Sequence, residues 1–232
     1  MVQQAPKKSK RETTYKGAAK KKSSGLVPKT AMQGELIKAL KESQQVFILG
    51  PAGTGKTYVT ATHAADLYTA KKIDKIVITR PHVAVGRELG FLKGDLAEKT
   101  MPWALPVLDV LEKHLGKGAV ETGVKNGNIE VAPMALMRGR SFENAFIIVD
   151  ETQNITLHEL KMLLTRVGEG TTIVLNGDAQ QSDLKEADGL TKVIHIAKKH
   201  MLPVSIIEFT VDDIVRSDVT AMWVKAFVKE KL

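Results

Sequence analysis

One short stretch of the sequence combines the residue types that grip a polyphosphate. It fits the pattern G-x-x-x-x-G-K-[ST] and consists of Gly50, Pro51, Ala52, Gly53, Thr54, Gly55, Lys56 and Thr57. Its glycines let the backbone curl until successive N–H groups point at phosphate oxygens. Lys56 supplies a cation for the β- and γ-phosphates, and the Thr57 hydroxyl is a ligand for Mg²⁺. The pattern predicts a site for a nucleotide, ATP, together with Mg²⁺.

A pair of acids follows a strongly apolar stretch further along the chain. Phe146–Val149 is typical of a buried strand and runs directly into Asp150 and Glu151. Ligands of open α/β folds bind at the carboxyl edge of the sheet, where both side chains would lie. We assign Asp150 to the magnesium shell and Glu151 to the base that orients an attacking water. The alternative is a strand that leads into an acidic helix start.

Two further polar segments contain candidates for the γ-phosphate. The loop 176–181 follows another apolar run and ends in Gln181, and glutamines position water in other NTPases. A polar turn is the alternative for this loop. Arg216 supplies the cation from which phosphoryl transfer gains most. A surface ion pair with Asp212 or Asp213 is the alternative for Arg216.

Short apolar runs alternate with helical stretches through most of the chain. This alternation is typical of βαβ units around a parallel sheet, and we predict one doubly wound α/β domain over residues 31–232. The apolar runs are Gln45–Leu49, Ile76–Thr79, Ile129–Val131, Phe146–Val149, Thr172–Leu175 and Val204–Phe209. One helical stretch, 91–121, is expected to break at Pro102 and Pro106.

The basic charge of the protein is concentrated at its start. Residues 1–30 hold nine of the 34 basic side chains and one of the 26 acidic ones, which leaves 25 of each sign elsewhere. Their composition predicts a disordered tail, either merely solubilising or an arm that attracts nucleic-acid phosphates. No apolar run approaches the ~20 residues of a membrane helix. Together with the absence of cysteine, this favours a cytoplasmic protein without a membrane partner.

Taken together, the motifs resemble those of the PhoH-like proteins, whose core is RecA-like and related to superfamily-one helicases. The matching stretches cover most of residues 31–218 in the family's order. They are GPAGTGKTY (50–58), ITRP (78–81), GFLKGDLAEK (90–99), APMALMRGRSFENAFIIVDETQN (132–154), LTRVG (164–168), NGDAQQSDL (176–184) and DIVRS (213–217). The resemblance implies a single RecA-like P-loop NTPase domain. Three departures, Thr152, Lys93 and Asp188, touch no assigned nucleotide contact.

The resemblance also implies roles for individual residues. Gln33 is similar to the glutamine that reads the adenine edge, and Tyr58 closes the nucleotide-binding stretch. Gln181 ends a match to the γ-phosphate-sensing motif G-D-x-x-Q, and Arg216 resembles the family's arginine finger. A second set lies in segments that resemble nucleic-acid contacts, with structural ion pairs as the alternative. These residues are Arg80, Arg138 and Arg140.

The chain has room for one RecA-like domain, whereas superfamily-one helicases place ATP between two. We therefore expect a homo-oligomeric ring, a hexamer, in which Arg216 reaches the γ-phosphate of a neighbour, with Arg140 as the second choice. The resemblance implies ATP hydrolysis coupled to single-stranded RNA, in a helicase-like motor. A nucleotide-dependent switch on a protein partner is the alternative. A small-molecule kinase is a third hypothesis, against which Glu151 and Gln181 argue because they favour water as the nucleophile.

Overall fold

A parallel β-sheet forms the centre of the molecule. The structure is a computed structural model and describes residues 25–81, 96–178 and 189–230. Its strands pair in the order β3-β2-β4-β5-β1-β6, and all pairs are parallel. The strands are β1 (Gln45–Leu49), β2 (Lys75–Thr79), β3 (Ile129–Val131), β4 (Ala145–Val149), β5 (Thr172–Gly177) and β6 (Ser205–Glu208). The predicted fold class, a doubly wound parallel sheet, is confirmed.

Helices cover both faces of the sheet. They are α1 (Ala31–Glu42), α2 (Lys56–Thr69), α3 (Leu96–Leu115), α4 (Lys117–Asn126), α5 (Leu157–Leu164), α6 (Gly189–Lys199) and α7 (Asp218–Glu230). The first four helices pack on one face in a first core cluster, and α5 and α6 pack on the other face in a second. No described residue of α7 belongs to either cluster. Within the described residues, no helix is long and apolar enough to span a bilayer.

Alternation along each strand divides the apolar side chains between the two faces. In β4, Phe146 and Ile148 belong to the first core cluster, whereas Ile147 and Val149 belong to the second. All four side chains are buried. Strands of a parallel sheet are apolar on both faces because helices cover both. Apart from Glu130 in the short edge strand β3, the polar side chains of the strands lie at or next to the strand ends.

Contrary to the prediction, the prolines of α3 do not break the helix. Pro102 and Pro106 lie inside Leu96–Leu115, and the helical path ends instead at Gly116. Gly116 has φ 89° and ψ 143°, a backbone conformation that favours glycine. Apolar packing holds the helix in place despite the N–H groups that the prolines lack. The buried side chains that supply this packing are Ala104, Val107, Leu108 and Leu111.

The domain begins earlier than residue 31. Leu26 packs against the first core cluster, and the Thr30 side chain accepts a hydrogen bond from the Gln33 backbone N–H at the start of α1. Residues 25–30 therefore contact the domain, and the predicted tail boundary lies too late in the chain. The rest of the predicted tail, residues 1–24, lies outside the described residues.

Removal of the capping box of α5 is expected to cost measurable stability. The Thr156 side chain accepts from the Glu159 backbone N–H, and the Glu159 carboxylate accepts from the Thr156 backbone N–H. Thr156→Ala should lower the free energy of unfolding in urea by about 1 kcal/mol. Thr122→Ala is the matched control, because its exposed hydroxyl donates to the Gly118 carbonyl within α4 and caps no helix end. Equal losses in the two variants would contradict the capping role.

Candidate functional site

The predicted phosphate loop connects β1 to α2, so it lies at the carboxyl edge of the sheet. Three of its glycines have positive φ, 132° at Gly50, 88° at Gly53 and 87° at Gly55. The helix begins at Lys56, so its free N-terminal N–H groups face the same loop. The local geometry is that of an anion site.

A segment beyond β6, Phe209–Arg216, lies against this loop, and we call it the clamp segment. A Cβ atom at Gly50 would lie 2.5 Å from the Phe209 carbonyl oxygen. The Val215 backbone N–H donates to the Gly53 carbonyl at 3.0 Å. Gly50 must therefore be glycine both for its backbone conformation and for the close approach of the clamp segment, whereas Gly53 is favoured by its positive φ.

Lys56 lies partly buried among backbone carbonyls and carboxylates. Its Nζ donates to the carbonyl oxygens of Gly50 at 2.6 Å and Pro51 at 2.9 Å. Burial lowers the pKa of the ammonium, and the carboxylates of Asp178, Asp150 and Glu151 act in the opposite direction. An ammonium has three N–H donors, so one is left to contact a phosphate oxygen, which is a stronger acceptor than a carbonyl oxygen.

Asp150 lies immediately after β4, as predicted, and its backbone N–H donates to the Thr79 carbonyl at 3.0 Å. Burial raises the pKa of its carboxyl group, and the neighbouring Glu151 carboxylate raises it further. Arg80 and Lys56 oppose this shift. An ionised Asp150 is therefore costly, and a divalent cation beside it would relieve that cost.

The residues at the loop fit a hydrated Mg²⁺. Mg²⁺ takes oxygen ligands, commonly one or two from the protein, and retains several waters. The Asp150 carboxylate and the Thr57 hydroxyl line one pocket. The same pocket is lined by Asn176, whose two amide atoms are buried and have no hydrogen-bond partner among the described residues. A buried amide without a partner costs about 1–3 kcal/mol, which a bound water would recover.

Glu151 is held in place from two sides. Its backbone has φ 54° and ψ 43°, the left-handed region that is uncommon for a residue with a side chain. The Gln153 side chain donates to Glu151 Oε2 at 2.6 Å, and its own amide oxygen accepts from the Asp178 backbone N–H at 3.0 Å. Arg80 Nη2 lies 3.5 Å from the other carboxylate oxygen. Gln153 thus ties the predicted base to the end of β5.

These groups surround one cavity of about 480 Å³, which we call the phosphate pocket. It is lined by the phosphate loop, the ends of β4 and β5, part of the clamp segment, and Pro106 and Val110 of α3. Most of the predicted phosphate and magnesium residues line this pocket, but Gly50, Pro51 and Thr54 do not. Of the other predicted loop residues, Pro51 and Thr54 are buried, and the Thr54 hydroxyl donates to the Pro51 carbonyl at 3.2 Å.

A second cavity of about 470 Å³, the side pocket, adjoins the first through Gly55, Tyr58 and Val215. Gln33 lies there, as expected of a base-reading residue. Its amide, however, donates to the Thr54 carbonyl at 2.9 Å and accepts from the Lys29 backbone N–H at 2.8 Å. Gln33 therefore also fixes the phosphate loop to the segment before α1.

The arginines predicted to contact nucleic acid behave differently from one another. Arg140 forms a two-pronged pair with Glu130, at 2.6 and 2.8 Å, and Arg80 pairs with Glu151. These pairs match the structural alternative, and neither Arg140 nor Arg80 lines the phosphate pocket. Arg138 is exposed. Arg140 is thus poorly placed for its second expected role, as a finger.

Arg216 lies against the phosphate loop of its own chain. Its Cγ and Nε atoms would each lie 3.0 Å from a Cβ atom at Gly53, and the residue lines the phosphate pocket. This geometry favours action within the chain over the predicted action on a neighbour. The Val215–Gly53 hydrogen bond is the physical reason, because it carries the clamp segment across the loop. Gln181, the predicted γ-phosphate sensor, lies outside the described residues.

Sequence reasoning left several pocket residues without a role, among them three that matter for the site. Asn176 and Asp178 lie at the end of β5, and Val215 lies next to the predicted finger. The polar residues after the apolar run of β5 were a signal for the first two. No local pattern marks Val215, because its contact with the loop joins distant parts of the chain.

Comparison with known proteins agrees with this geometry. The family model described as PhoH-like protein matches residues 25–228. The chain is 40% identical to Protein PhoH of Escherichia coli K12 over 198 residues, covering 84% of this chain and 56% of the relative. The chain belongs to the PhoH-like family. It is also 41% identical to a PhoH-like protein of Bacillus subtilis over 205 residues, covering 87% of this chain and 64% of the relative.

PhoH-like relatives of this kind are longer than the present chain, which spans 56% and 64% of their lengths in the two comparisons. Among solved structures, the large terminase of a thermophilic bacteriophage is similar with a TM-score of 0.52 and 14% identity. That similarity covers 88% of this chain and 50% of the terminase. At this identity it bears on the fold alone, which is that of a RecA-like P-loop NTPase domain.

Neutralisation of Asp150 is expected to stabilise the protein without ligand. Because the folded state raises this pKa, it holds the proton more tightly than the unfolded chain does, and stability falls as pH rises through the raised pKa. Asp150→Asn should therefore raise the thermal midpoint at neutral pH by about 2–4 °C, corresponding to about 1 kcal/mol. The added stability conferred by Mg-ADP should be lost.

Scanning calorimetry at pH 7, with and without Mg-ADP, measures both effects. Asp109→Asn is the control, because Asp109 is exposed on α3 and its change should stay within about 0.5 kcal/mol. A less stable Asp150→Asn protein, or one that keeps the full stabilisation by Mg-ADP, would show that Asp150 is not the strained metal ligand described above.

Proposed function

We propose that the protein binds and hydrolyses ATP with Mg²⁺ at the phosphate pocket. The observation that carries this proposal is the position of Glu151, which Gln153 and Arg80 hold in the pocket that contains Lys56. A carboxylate at this place can orient a water toward a γ-phosphate bound at the loop. A fixed base of this kind favours hydrolysis over transfer to another acceptor.

The pocket residues have different proposed roles in hydrolysis. Backbone N–H groups of the loop and the Lys56 ammonium bind the phosphates, and the Thr57 hydroxyl and Asp150 carboxylate hold the cation. Mg²⁺ supplies charge neutralisation of the phosphate oxygens when bound. The side pocket accepts the base, next to Tyr58 and Gln33. Gln181 keeps its proposed role as the γ-phosphate sensor.

Coupling to single-stranded RNA is the proposed use of the hydrolysis. The basic segment 1–30 and the exposed Arg138 supply positive charge for phosphate contacts. Aromatic residues make up 5% of the chain, so backbone contacts would outweigh base stacking. With such contacts, the protein would act as a helicase-like remodeller of RNA in the cytoplasm.

A nucleotide-dependent switch on a protein partner is the second candidate. An apolar stripe on α7 favours it, because Val219, Met222, Trp223 and Phe227 are 64%, 67%, 59% and 48% exposed. Trp223 and Phe227 stack with their ring centres 5.6 Å apart. Exposed apolar surface of this kind is typical of protein contact sites. The helix follows Arg216 directly, so nucleotide at the loop can influence it.

A homo-oligomeric ring, with six subunits as the expected number, is also proposed. A head-to-tail contact between identical chains closes into a ring when the rotation allows it. Arg216 is placed to serve the nucleotide of its own chain, so the ring would couple subunits without having to complete each site. Action of Arg216 on a neighbour is the alternative arrangement.

Phosphate release from Mg-ATP, with and without single-stranded RNA, tests the proposed function. Lys56→Ala should reduce turnover by about a hundredfold or more, because it removes the cation on the β- and γ-phosphates. RNA should raise wild-type turnover several-fold. Lys113→Ala is a control in α3, because Lys113 lines neither pocket. A rate of phosphate release that RNA does not change would favour the switch. Undiminished phosphate release in Lys56→Ala would contradict an ATPase at this loop.

A mixing experiment distinguishes the two placements of Arg216. Lys56→Ala and Arg216→Ala proteins should each be nearly inactive, and their mixture should remain so if Arg216 serves its own chain. If it serves a neighbour, the mixture forms sites with an intact loop from one subunit and an intact arginine from the next. Recovered phosphate release after co-refolding of the two variants would therefore contradict action within the chain.

A further inference from the structure

Asn176 carries a buried side-chain amide that nothing in the described part of the chain pairs with. The residue is 1% exposed, and neither Nδ2 nor Oδ1 has a hydrogen-bond partner among the described residues. Buried amides are nearly always paired with protein or with an ordered water. An unpaired amide in a binding pocket therefore indicates that a bound ligand or water supplies its hydrogen-bond partner.

Strand pairing places this amide on the nucleotide side of the sheet. Asn176 lies opposite Ile48 on β1, and Ile48 and Val174 both belong to the first core cluster, on the side of α2. Side chains alternate between faces along a strand, so Asn176 points to the same side as Val174. Because β5 lies between β1 and β4, the amide sits between the strand that leads into the phosphate loop and the strand that leads into Asp150.

A second orphaned group nearby shows that position, and not burial alone, distinguishes Asn176. The Thr79 hydroxyl at the end of β2 is fully buried and also has no partner among the described residues. Thr79 lies opposite Val149, and Val149 and Val77 belong to the second core cluster on the far face. Thr79 is absent from the lining of the phosphate pocket, whereas Asn176 lines it with Thr57 and Asp150.

We propose that Asn176 is a positioning residue for the magnesium ion, acting through a water in its coordination shell. The proposal rests on the proposed function of the phosphate pocket. Mg²⁺ keeps several of its waters in protein sites, and such waters are strong donors to an amide oxygen. The amide nitrogen can at the same time donate to a carboxylate or phosphate oxygen. One amide can thus hold a metal-bound water in place and bond to a neighbouring carboxylate or phosphate oxygen at the same time.

Lys56 and Asn176 line the same pocket. In this structure Asn176 is shielded from solvent, and the Lys56 ammonium is bonded to the carbonyls of Gly50 and Pro51. Mg-nucleotide bound at the loop would bring a metal-bound water into this pocket and so supply the partner of the amide. We therefore expect Asn176 to strengthen nucleotide binding when the metal is present and to have little effect without it.

Binding of ADP with and without magnesium tests this role without reference to turnover. The magnesium coupling ratio is the Kd for ADP in EDTA divided by the Kd in excess Mg²⁺, both measured by calorimetry. Asn176→Val should lower this ratio about tenfold, the usual effect of losing an outer-sphere partner, and leave the Kd in EDTA within about twofold. Threonine has the shape of valine but carries a hydroxyl, so Asn176→Thr should retain a larger magnesium coupling ratio than Asn176→Val.

Two controls separate a specific effect at Asn176 from a general effect of removing a buried polar group. Thr79→Val removes the orphaned hydroxyl on the far face and should keep the wild-type ratio. Thermal unfolding without ligand should show Asn176→Val at least as stable as Asn176→Thr, because the valine leaves no buried polar group unpaired. A wild-type ratio in Asn176→Val, or an equal fall in Thr79→Val, would overturn the proposal. Wild-type protein that binds no ADP would overturn the proposed function instead.

Discussion

Three neighbouring strands, β4, β5 and β1, end side by side, and the chemistry of the site is attached at or just beyond those ends. Parallel pairing requires this, because strands that run the same way present their carboxyl ends at one edge. The pairing continues past the strands themselves, since the Gly50 backbone N–H donates to the Gly177 carbonyl at 3.2 Å. A loop, a carboxylate pair and a buried amide thus meet although they are far apart in sequence.

This convergence is costly for the protein without ligand. The Asp150 carboxylate is buried beside Glu151, the Lys56 ammonium is desolvated, and the Asn176 amide has no partner among the described residues. Glu151 adds a left-handed backbone conformation. Each feature is a cost that a bound phosphate, cation or water can reduce. The large apolar core on both faces of the sheet provides the stability that tolerates these costs.

The clamp segment gives the single chain a more complete site than a lone RecA-like domain suggests. Phe209 packs on Gly50, and Arg216 packs on Gly53, so two loop glycines are constrained by a segment from the other end of the chain. A backbone hydrogen bond from Val215 to Gly53 holds this arginine against the loop of its own chain. A ring would then have a different purpose from completing the site, namely communication between sites that are individually equipped.

Features encoded locally were predicted from the sequence, and features that depend on distant contacts were not. The loop and the Asp150–Glu151 pair were found because each follows an apolar strand in a recognisable pattern. The Arg140–Glu130 pair and the placement of Arg216 depend on tertiary contacts that spacing does not reveal. The predicted breaks at the prolines of α3 were wrong because propensity is weaker than core packing.

The most direct measurement is a crystal structure of the protein grown with Mg²⁺, ADP and aluminium fluoride, which together resemble the transferring phosphate. We predict that the phosphates lie in the Gly50–Thr57 loop and that Lys56 Nζ contacts the phosphate oxygens. We also predict that Glu151 faces the fluoride. Nucleotide bound elsewhere, or a Lys56 that makes no contact with the phosphates, would contradict an ATPase site built at the ends of these strands.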